Sequence, residues 1–175
     1  IAVEPDANQR QRMITSGINC VPDISEVTDA WADVIYSINV LEHIEDDDAV
    51  LVEIYKKLKP GGRLLIYVPA FPILYSSMDQ KVGHFRRYTR SILTAKAHTS
   101  GFNVSEAFYV DSMGFFASLL YKLINKNTGC INRGALRLFD RFIFPISILV
   151  DRITCCFFGK NVVLIAEKPK IHLCI

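Results

Sequence analysis

Residues 32–69 read ADVIYSINVLEHIEDDDAVLVEIYKKLKPGGRLLIYVP, and this stretch decides the fold class of the chain. Residues 34–39 form a nearly continuous apolar run, which is typical of a strand covered on both faces. A short acidic turn, a helical pattern over residues 46–59 and a second apolar run over residues 63–68 follow. A strand, a helix and a strand at this spacing predict two parallel strands joined by a right-handed crossover.

The segment 46–59 has the clearest helical pattern in the chain. Three aspartates lie at its start and three lysines near its end, as the helix dipole favours. The tripeptide Pro60-Gly61-Gly62 predicts where the helix ends. Its apolar side chains recur at i, i+3, i+4 and i+7 and would share one face: Leu51, Ile54, Tyr55 and Leu58.

The flanking sequence predicts the remaining elements. Residues 70–88 are expected to form a long loop. Thr89 is predicted to cap the helix that follows, and Gly101 to stop it. Apolar runs predict strands at residues 1–3, 18–21, 102–110 and 161–167, and helical patterns cover residues 7–16 and 89–100.

Composition places the chain among globular proteins of one domain. It has 175 residues, of which 50% are hydrophobic and 22% charged, which is enough to bury a core. A net charge of +2 argues against a dedicated nucleic-acid-binding protein, which would carry a strong basic excess. The five cysteines form no Cys-x-x-Cys pair, so they predict apolar fillers in a reducing, cytoplasmic compartment rather than a disulfide framework or a zinc site.

Three short motifs carry a resemblance to a known family. They are IAVEPD at residues 1–6, VLEH at residues 40–43 and LKPGG at residues 58–62. With these motifs the chain resembles a class I S-adenosylmethionine-dependent methyltransferase of the type 11/12 kind. The resemblance implies an α/β fold with a doubly wound, Rossmann-like sheet that is mostly parallel and has an antiparallel final strand. It also implies that the first strand and the glycine-rich loop are lacking, so residues 1–175 are expected to form a single but partial, N-terminally truncated domain.

The same resemblance implies a site for S-adenosylmethionine at the carboxyl ends of the strands. An acid that follows a strand can accept hydrogen bonds from both ribose hydroxyls, and this role falls to Glu4. Asp23 would bond the adenine amino group with Ile24 against the ring, although Asp23 could equally be a turn residue. The cofactor-binding residues predicted in this way are Glu4, Pro5, Asp23, Ile24, Ile38 and Asn39.

Glu42 and His43, within the VLEH motif, suggest a catalytic acid–base pair. Adjacent residues point apart on regular structure, however, and in the resembling family these positions mainly shape the turn near the cofactor. A structural role is therefore favoured over direct catalysis by His43. The histidines are scattered along the sequence, so no metal site is predicted: His43, His84, His98 and His172.

Residues 79–90, DQKVGHFRRYTR, form the second distinctive segment. The part GHFRRYT resembles a motif of a bacterial subgroup of these methyltransferases that is associated with glycan or lipid-linked sugar pathways. Two arginines beside a histidine can hold a phosphate or carboxylate of the acceptor and supply a general base. Alternatively, the arginines pair with neighbouring carboxylates in a solvated loop. On the first interpretation His84 is catalytic, and the acceptor is bound by Tyr75, Arg86, Arg87 and Tyr88.

Residues 113–160 form an insertion rich in Phe, Leu and Ile, with seven basic residues against two acidic ones and hence a net charge of +5. Charged residues interrupt its apolar runs, so a membrane-spanning helix is not expected. Two amphipathic helical patterns lie on either side of Pro145. They would either bury their apolar faces against the acceptor end of the sheet or form a patch that contacts anionic lipid at the inner membrane face. The predicted polar faces contain Arg137, Asp140 and Arg141 in the first pattern and Ser147, Asp151 and Thr154 or Cys155 in the second, and the apolar side of the first contains Leu136, Leu138, Phe139, Phe142 and Ile143.

The favoured function is transfer of a methyl group from S-adenosylmethionine to a small-molecule, glycan or lipid-linked acceptor, mainly by proximity. Two alternatives stay open. A fragment of a nicotinamide-dependent oxidoreductase would share the acid after the second strand. A membrane-interface or partner-binding module would use the insertion for its function and the sheet as a scaffold.

Overall fold

The computed structural model of the chain describes residues 1–124, 134, 137 and 139–170. The strands are β1 (Ala2–Val3), β2 (Cys20–Val21), β3 (Ala32–Ile38), β4 (Leu58–Pro69), β5 (Asn103–Val110) and β6 (Asn161–Glu167). The α-helices are α1 (Ala7–Thr15), α2 (Asp47–Lys57), α3 (Ser77–Val82), α4 (Arg90–Thr99), α5 (Ser112–Ile124) and α6 (Phe144–Thr154). Short 3₁₀ turns occupy Ile24–Glu26, Leu41–His43 and Pro72–Leu74, and a π-helical turn occupies Phe139–Ile143.

The main sheet has four strands in the order β3-β4-β6-β5. β3 and β4, which α2 connects along the chain, pair in parallel, with Ile35 opposite Leu64 and Ile38 opposite Tyr67. β6 lies between β4 and β5 and is antiparallel to both. The predicted parallel pair and the predicted antiparallel final strand are therefore confirmed. β1 and β2 form a separate, parallel two-stranded sheet.

The core lies between the main sheet and the helices α2 and α4. Leu51 of α2 and Leu93 of α4 are fully buried, as are Leu64 and Leu164 in the two central strands. Burying one such side chain contributes about 1.5–3 kcal/mol. The helical face predicted from Leu51, Ile54, Tyr55 and Leu58 therefore faces the sheet, and Leu58 already belongs to β4.

The opposite face of β3 differs from the prediction. Val34, Tyr36 and Ile38 are 61%, 72% and 52% exposed, so the strand is not covered on both faces. β3 is an edge strand in the described part of the chain, and α2 and α4 cover only one side of it. The apolar run correctly predicted a strand but not this exposure.

The Pro60-Gly61-Gly62 segment also differs in its details from the predicted stop. Helix α2 ends at Lys57, and β4 begins at once with Leu58, which pairs with Ala32. Gly61 has a φ of +81°, which favours glycine, and its N–H donates to the carbonyl of Lys168. The segment is therefore part of β4, where the pairing with β3 shifts its register, and it does not form a separate turn.

Two helical pieces occupy the region predicted as a loop. The first is the 3₁₀ turn Pro72–Leu74 and the second is α3. Ser76 caps α3, and the Asp79 carboxylate accepts a hydrogen bond from the Ser76 N–H, which completes a capping box. The Ser-x-x-Asp spacing was a readable signal for this helix. Thr89 caps α4 as predicted, since its hydroxyl accepts the Ile92 N–H.

The insertion contributes α5 and α6 to the described residues. Ser147, on α6, is fully buried and its hydroxyl accepts the Met113 N–H at 3.1 Å. The Asp151 carboxylate accepts the N–H groups of Asp111 and Ser112 at 2.7 and 2.8 Å. The predicted polar face of α6 therefore points inward, toward the start of α5. The predicted positions of Leu136, Leu138 and the side chains of Phe139 and Asp140 lie outside what the structure describes.

Candidate functional site

Three strand ends carry the predicted cofactor residues. Glu4 follows β1, which runs parallel to β2. The Glu4 side chain is half-buried, and its Oε1 accepts the Asp6 N–H at 2.9 Å. The carbonyl of Pro5 accepts a hydrogen bond from Arg10. The second carboxylate oxygen of Glu4 retains acceptor capacity, because a carboxylate can accept about four hydrogen bonds.

Asp23 and Ile24 follow β2. Asp23 is exposed, and its Oδ1 accepts the Ser25 N–H at 2.8 Å, so it caps the 3₁₀ turn Ile24–Glu26. Hydrogen bonding to the Ser25 side chain and to its N–H holds the pKa of Asp23 below its usual value. Ile24 packs against the edge of the core. The geometry thus shows the turn role that was one of the two interpretations of Asp23, and its contact with adenine stays a prediction.

Ile38 and Asn39 end β3. Asn39 has a φ of +51°, in the left-handed region that few residues other than glycine adopt. Its N–H donates to the Tyr67 carbonyl at 2.8 Å, which holds this conformation against β4. Both side chains are exposed. Strained backbone of this kind clusters at ligand sites, because the surrounding structure must hold it.

The turn Leu41–His43 follows directly and places two neighbouring side chains in different surroundings. Glu42 is completely buried, whereas His43 is exposed. Burial raises the pKa of the Glu42 carboxyl. No other residue in the described parts of the chain donates a hydrogen bond to either of its carboxylate oxygens. Such a buried acid without a partner requires an explanation.

The second distinctive segment lies against this turn. The Phe85 N–H donates to the Glu42 carbonyl at 2.8 Å. The His84 ring stands 4.6 Å from the His43 ring, edge to face, and its Nε2 lies 3.8 Å from Glu42 Oε1. The sequence-based view of scattered histidines is therefore wrong for this pair. The chain brings them together because α2 and β4 return the 70–88 segment to the end of β3.

Asp79 organises the His84 side of the site. Its Oδ1 lies 2.8 Å from His84 Nδ1 and accepts a hydrogen bond from Arg87 Nε at 2.7 Å. Burial on its own would raise the pKa of Asp79, but the bonds from Arg87 and His84 hold it below its usual value. Arg87 also donates to the Ala70 carbonyl. Tyr75 is half-buried, and its hydroxyl donates to the His84 carbonyl.

Asp47, at the start of α2, organises the other side. It is 2% exposed and accepts hydrogen bonds from Arg86, Tyr88 and Lys96. Burial alone would raise the pKa of Asp47, but the bonds from Lys96 and Tyr88 keep it below its usual value. Tyr88 is fully buried, and burial together with Asp47 raises its pKa.

These contacts match the alternative interpretation of residues 79–90. Each arginine of the pair is bonded to an aspartate of the same chain: Arg86 to Asp47 and Arg87 to Asp79. An acceptor-binding role for Arg86, Arg87, Tyr75 and Tyr88, and a catalytic role for His84, stay predictions. Sequence reasoning missed Asp47, Asp79 and the burial of Glu42. Only the acidic run at residues 45–48 and the capping signal at residues 76–79 pointed toward the first two.

Comparisons with known proteins agree with this arrangement. Residues 3–66 match the sequence model of a methyltransferase domain. A S-adenosylmethionine-dependent methyltransferase from Archaeoglobus fulgidus has a TM-score of 0.58 at 19% identity, over 95% of this chain and 74% of that chain. One from Mesorhizobium loti has a TM-score of 0.59 at 13% identity, over 94% and 78% of the two chains. Phosphoethanolamine N-methyltransferase 2 from Haemonchus contortus, in complex with S-adenosylmethionine, has a TM-score of 0.53 at 19% identity, over 91% and 40%.

No curated protein matches the chain. The match over residues 3–66 covers the segments that bear Glu4, Asp23 and Asn39. Residues 3–66 of the chain are thus similar to a methyltransferase domain, and the chain shares the fold of S-adenosylmethionine-dependent methyltransferases.

Proposed function

We propose that the chain is a S-adenosylmethionine-dependent methyltransferase that acts on an acceptor presented at a lipid surface, such as a lipid-linked glycan intermediate. The observation that carries the proposal is the orientation of α6. Its polar residues Ser147 and Asp151 bond to the start of α5, whereas several of its large apolar residues are exposed. Among the described residues, no helix is long and apolar enough to cross a membrane.

Large apolar side chains are exposed on α6 and just after it. We call this surface the α6 patch; four of its side chains are 55%, 63%, 79% and 73% exposed, namely Ile146, Leu149, Ile153 and Phe157. Exposed aromatic and aliphatic side chains of α5 add to it: Phe116, Leu120 and Leu123. Contiguous apolar surface of this kind marks an interaction site, and neighbouring basic residues favour anionic lipid.

The position of the insertion suits this use. Lys122 of α5 donates to the Ile73 carbonyl, in the turn that follows β4. Phe115 packs edge to face on Phe71, which begins the same turn. In open α/β sheets ligands lie at the carboxyl ends of the strands. The insertion therefore adjoins the side on which the acceptor would approach.

For the cofactor, we propose that Glu4 accepts a ribose hydroxyl through its remaining oxygen and that Ile38 and Asn39 line the methionine side. Asp23 and Ile24 would border the adenine. S-adenosylmethionine supplies the electrophilic methyl group. The chain's residues orient it toward the acceptor, and catalysis follows mainly from this proximity. The comparisons do not favour a nicotinamide-dependent function.

Cosedimentation with vesicles of phosphatidylcholine and phosphatidylglycerol tests the lipid contact. We expect the chain to sediment at low salt and less at high salt. Leu149→Glu and Ile153→Glu should each weaken binding about tenfold or more, since each removes an apolar side chain worth about 1.5–3 kcal/mol when buried. Val52→Glu, at an exposed apolar position of α2, is the matched control. Failure of the wild-type chain to sediment at either salt concentration would contradict the proposal.

A labelling experiment tests the acceptor. The chain is incubated with bacterial membrane lipid extract and S-adenosylmethionine carrying a tritium-labelled methyl group, and the products are partitioned between chloroform–methanol and water. We expect label in the organic phase, and less of it with Ile153→Glu. Label that enters only water-soluble products would contradict a lipid-linked acceptor while leaving methyl transfer intact.

A further inference from the structure

We infer that Glu42, His43 and His84 bind a divalent transition-metal ion, with zinc as the preferred ion. One ligand atom from each of these residues lies within 4.8 Å of the corresponding atoms of the other two. The three residues come from two segments, the turn after β3 and the segment after α3. Neither the methyltransferase fold nor the proposed transfer of a methyl group requires such an ion.

Glu42 provides the strongest observation. Its side chain is completely buried, and neither carboxylate oxygen receives a hydrogen bond from another residue in the described part of the chain. A buried carboxylate without a donor carries a desolvation cost that a neighbouring cation would offset. A cation that offsets this cost would lie between Glu42 and His84. The Nε2 atom of His84 is 3.8 Å from Oε1 of Glu42.

His84 is arranged as a metal ligand would be. Its Nδ1 lies 2.8 Å from Asp79 Oδ1, and an ionised carboxylate can only accept a hydrogen bond. The proton of a neutral His84 therefore belongs on Nδ1, and Nε2 presents a lone pair toward Glu42. A carboxylate that holds the second nitrogen of a ligating histidine is the usual support of a zinc-bound imidazole. Arg87 in turn holds Asp79 in place through two hydrogen bonds.

His43 completes the set from the exposed side. Its Nδ1 lies 3.3 Å from the Gly83 carbonyl, a contact that places the proton on Nδ1 and leaves Nε2 as an acceptor. Two imidazoles and one carboxylate, with a fourth position open to water, form a ligand set that zinc accepts. Magnesium and calcium prefer oxygen ligands and fit this set poorly.

The ligand atoms of the three residues need to move only slightly closer together to coordinate one ion. Zinc–nitrogen and zinc–oxygen bonds of about 2.0–2.2 Å place two ligand atoms of a tetrahedral ion roughly 3.4 Å apart. The Glu42–His84 pair is already near this value at 3.8 Å. His43, being exposed, can rotate toward the other two. The ion would then tie the end of β3 to the segment that bears Arg86 and Arg87.

Zinc titration of the purified 175-residue chain, followed by isothermal calorimetry, tests the inference. We expect one zinc ion per chain and a rise in Tm with zinc concentration, because binding to the folded state alone stabilises it. His43→Ala should lower zinc affinity about a hundredfold or more without impairing folding, since the side chain is exposed. Glu42→Gln and His84→Ala should do the same, and circular dichroism establishes that each variant is folded.

Two control variants separate this site from other zinc binding. His98→Ala removes an exposed histidine whose Nδ1 also lies near a backbone carbonyl, that of Phe102, and should leave zinc affinity unchanged. Cys156→Ser removes an exposed thiol and should likewise have no effect. Absence of stoichiometric zinc binding, or affinity that is unchanged in His43→Ala but lost in either control variant, would overturn the inference. Either result would leave the proposal on the lipid-linked acceptor untouched.

Discussion

At the scale of single residues, two buried aspartates connect the segment 79–90 to the rest of the protein. Asp47 accepts hydrogen bonds from Arg86, Tyr88 and Lys96. Asp79 is hydrogen-bonded to His84 and Arg87. These bonds join positions that are distant in sequence. The basic residues that sequence reasoning assigned to an acceptor anion are therefore already bonded to carboxylates within the chain.

Asp47→Asn should lower the free energy of unfolding at pH 7 by about 1–3 kcal/mol, because hydrogen bonds from charged groups to a buried carboxylate are lost. The pKa of Asp47 is lower in the folded than in the unfolded chain. Its contribution is thus present above the unfolded value of about 3.9 and is lost as the pH falls through the folded value. Urea unfolding of both proteins should give a difference that shrinks below about pH 4.

Asp48→Asn is the matched control for this prediction. Asp48 is 60% exposed and pairs with Lys96 alone among the described residues. Its replacement should cost less than about 1 kcal/mol, as is usual for exposed ion pairs. Equal effects of the two variants would show that Asp47 does not have the special role that its burial indicates.

Glu4→Ala should weaken binding of S-adenosylmethionine about ten- to a hundredfold, because a charge-assisted hydrogen bond to the ribose is lost. Isothermal calorimetry measures the affinity directly. Glu26→Ala, which removes an exposed acid from the turn after β2, is the control and should bind as the wild type does. If the wild type and Glu4→Ala bind the cofactor with equal affinity, Glu4 does not contact it.

At the scale of elements, local sequence signals predicted where helices and strands form. They did not predict which faces of these elements are buried, because that depends on segments distant in the sequence. The bounds of β6 and the cap of α4 agree with the sequence because an apolar run and a capping residue are local signals. The prediction for β3 was wrong on one face, since exposure depends on which helices cover the sheet. Similarly, the sequence predicted the polar and apolar sides of α6 but not which side faces the rest of the protein. The buried bonds of Ser147 and Asp151 to the start of α5 determine it.

Asp151→Ala should loosen α5 and α6 while leaving the sheet intact. The side chain accepts two backbone N–H groups at the start of α5, and their loss should cost about 1.5–3 kcal/mol locally. Hydrogen exchange followed by mass spectrometry should show faster exchange in residues 112–123 and 144–154, with β4 and β6 unchanged. Arg152→Ala, at an exposed neighbouring position, should exchange as the wild type does, and a similar acceleration in it would contradict this account.

At the scale of the whole molecule, the main sheet has an apolar edge. In the described part of the chain, β3 pairs with β4 only, and it presents Val34, Tyr36 and Ile38 outward. Edge strands with apolar side chains promote pairing between molecules. This surface is separate from the α6 patch, so its effect can be tested separately.

Tyr36→Lys should reduce concentration-dependent self-association, because a charge on an edge strand opposes intermolecular pairing. Light scattering coupled to size-exclusion chromatography measures the mass across a dilution series. Val52→Lys, on the exposed side of α2, should associate as the wild type does. A mass equal to that of one chain in the wild type at all concentrations would show that this edge does not promote association.

The position of β6 has a consequence for synthesis of the protein. This strand lies between β4 and β5, yet it follows both of them and the whole insertion in the sequence. While the ribosome is still translating the insertion, β4 can pair only with β3, and β5 has no strand beside it. Pairs such as Arg63 with Glu167 form only after a large loop has closed, which slows folding. The nascent chain should therefore depend on chaperones until residues 161–167 emerge, and release from them should follow the appearance of that last strand.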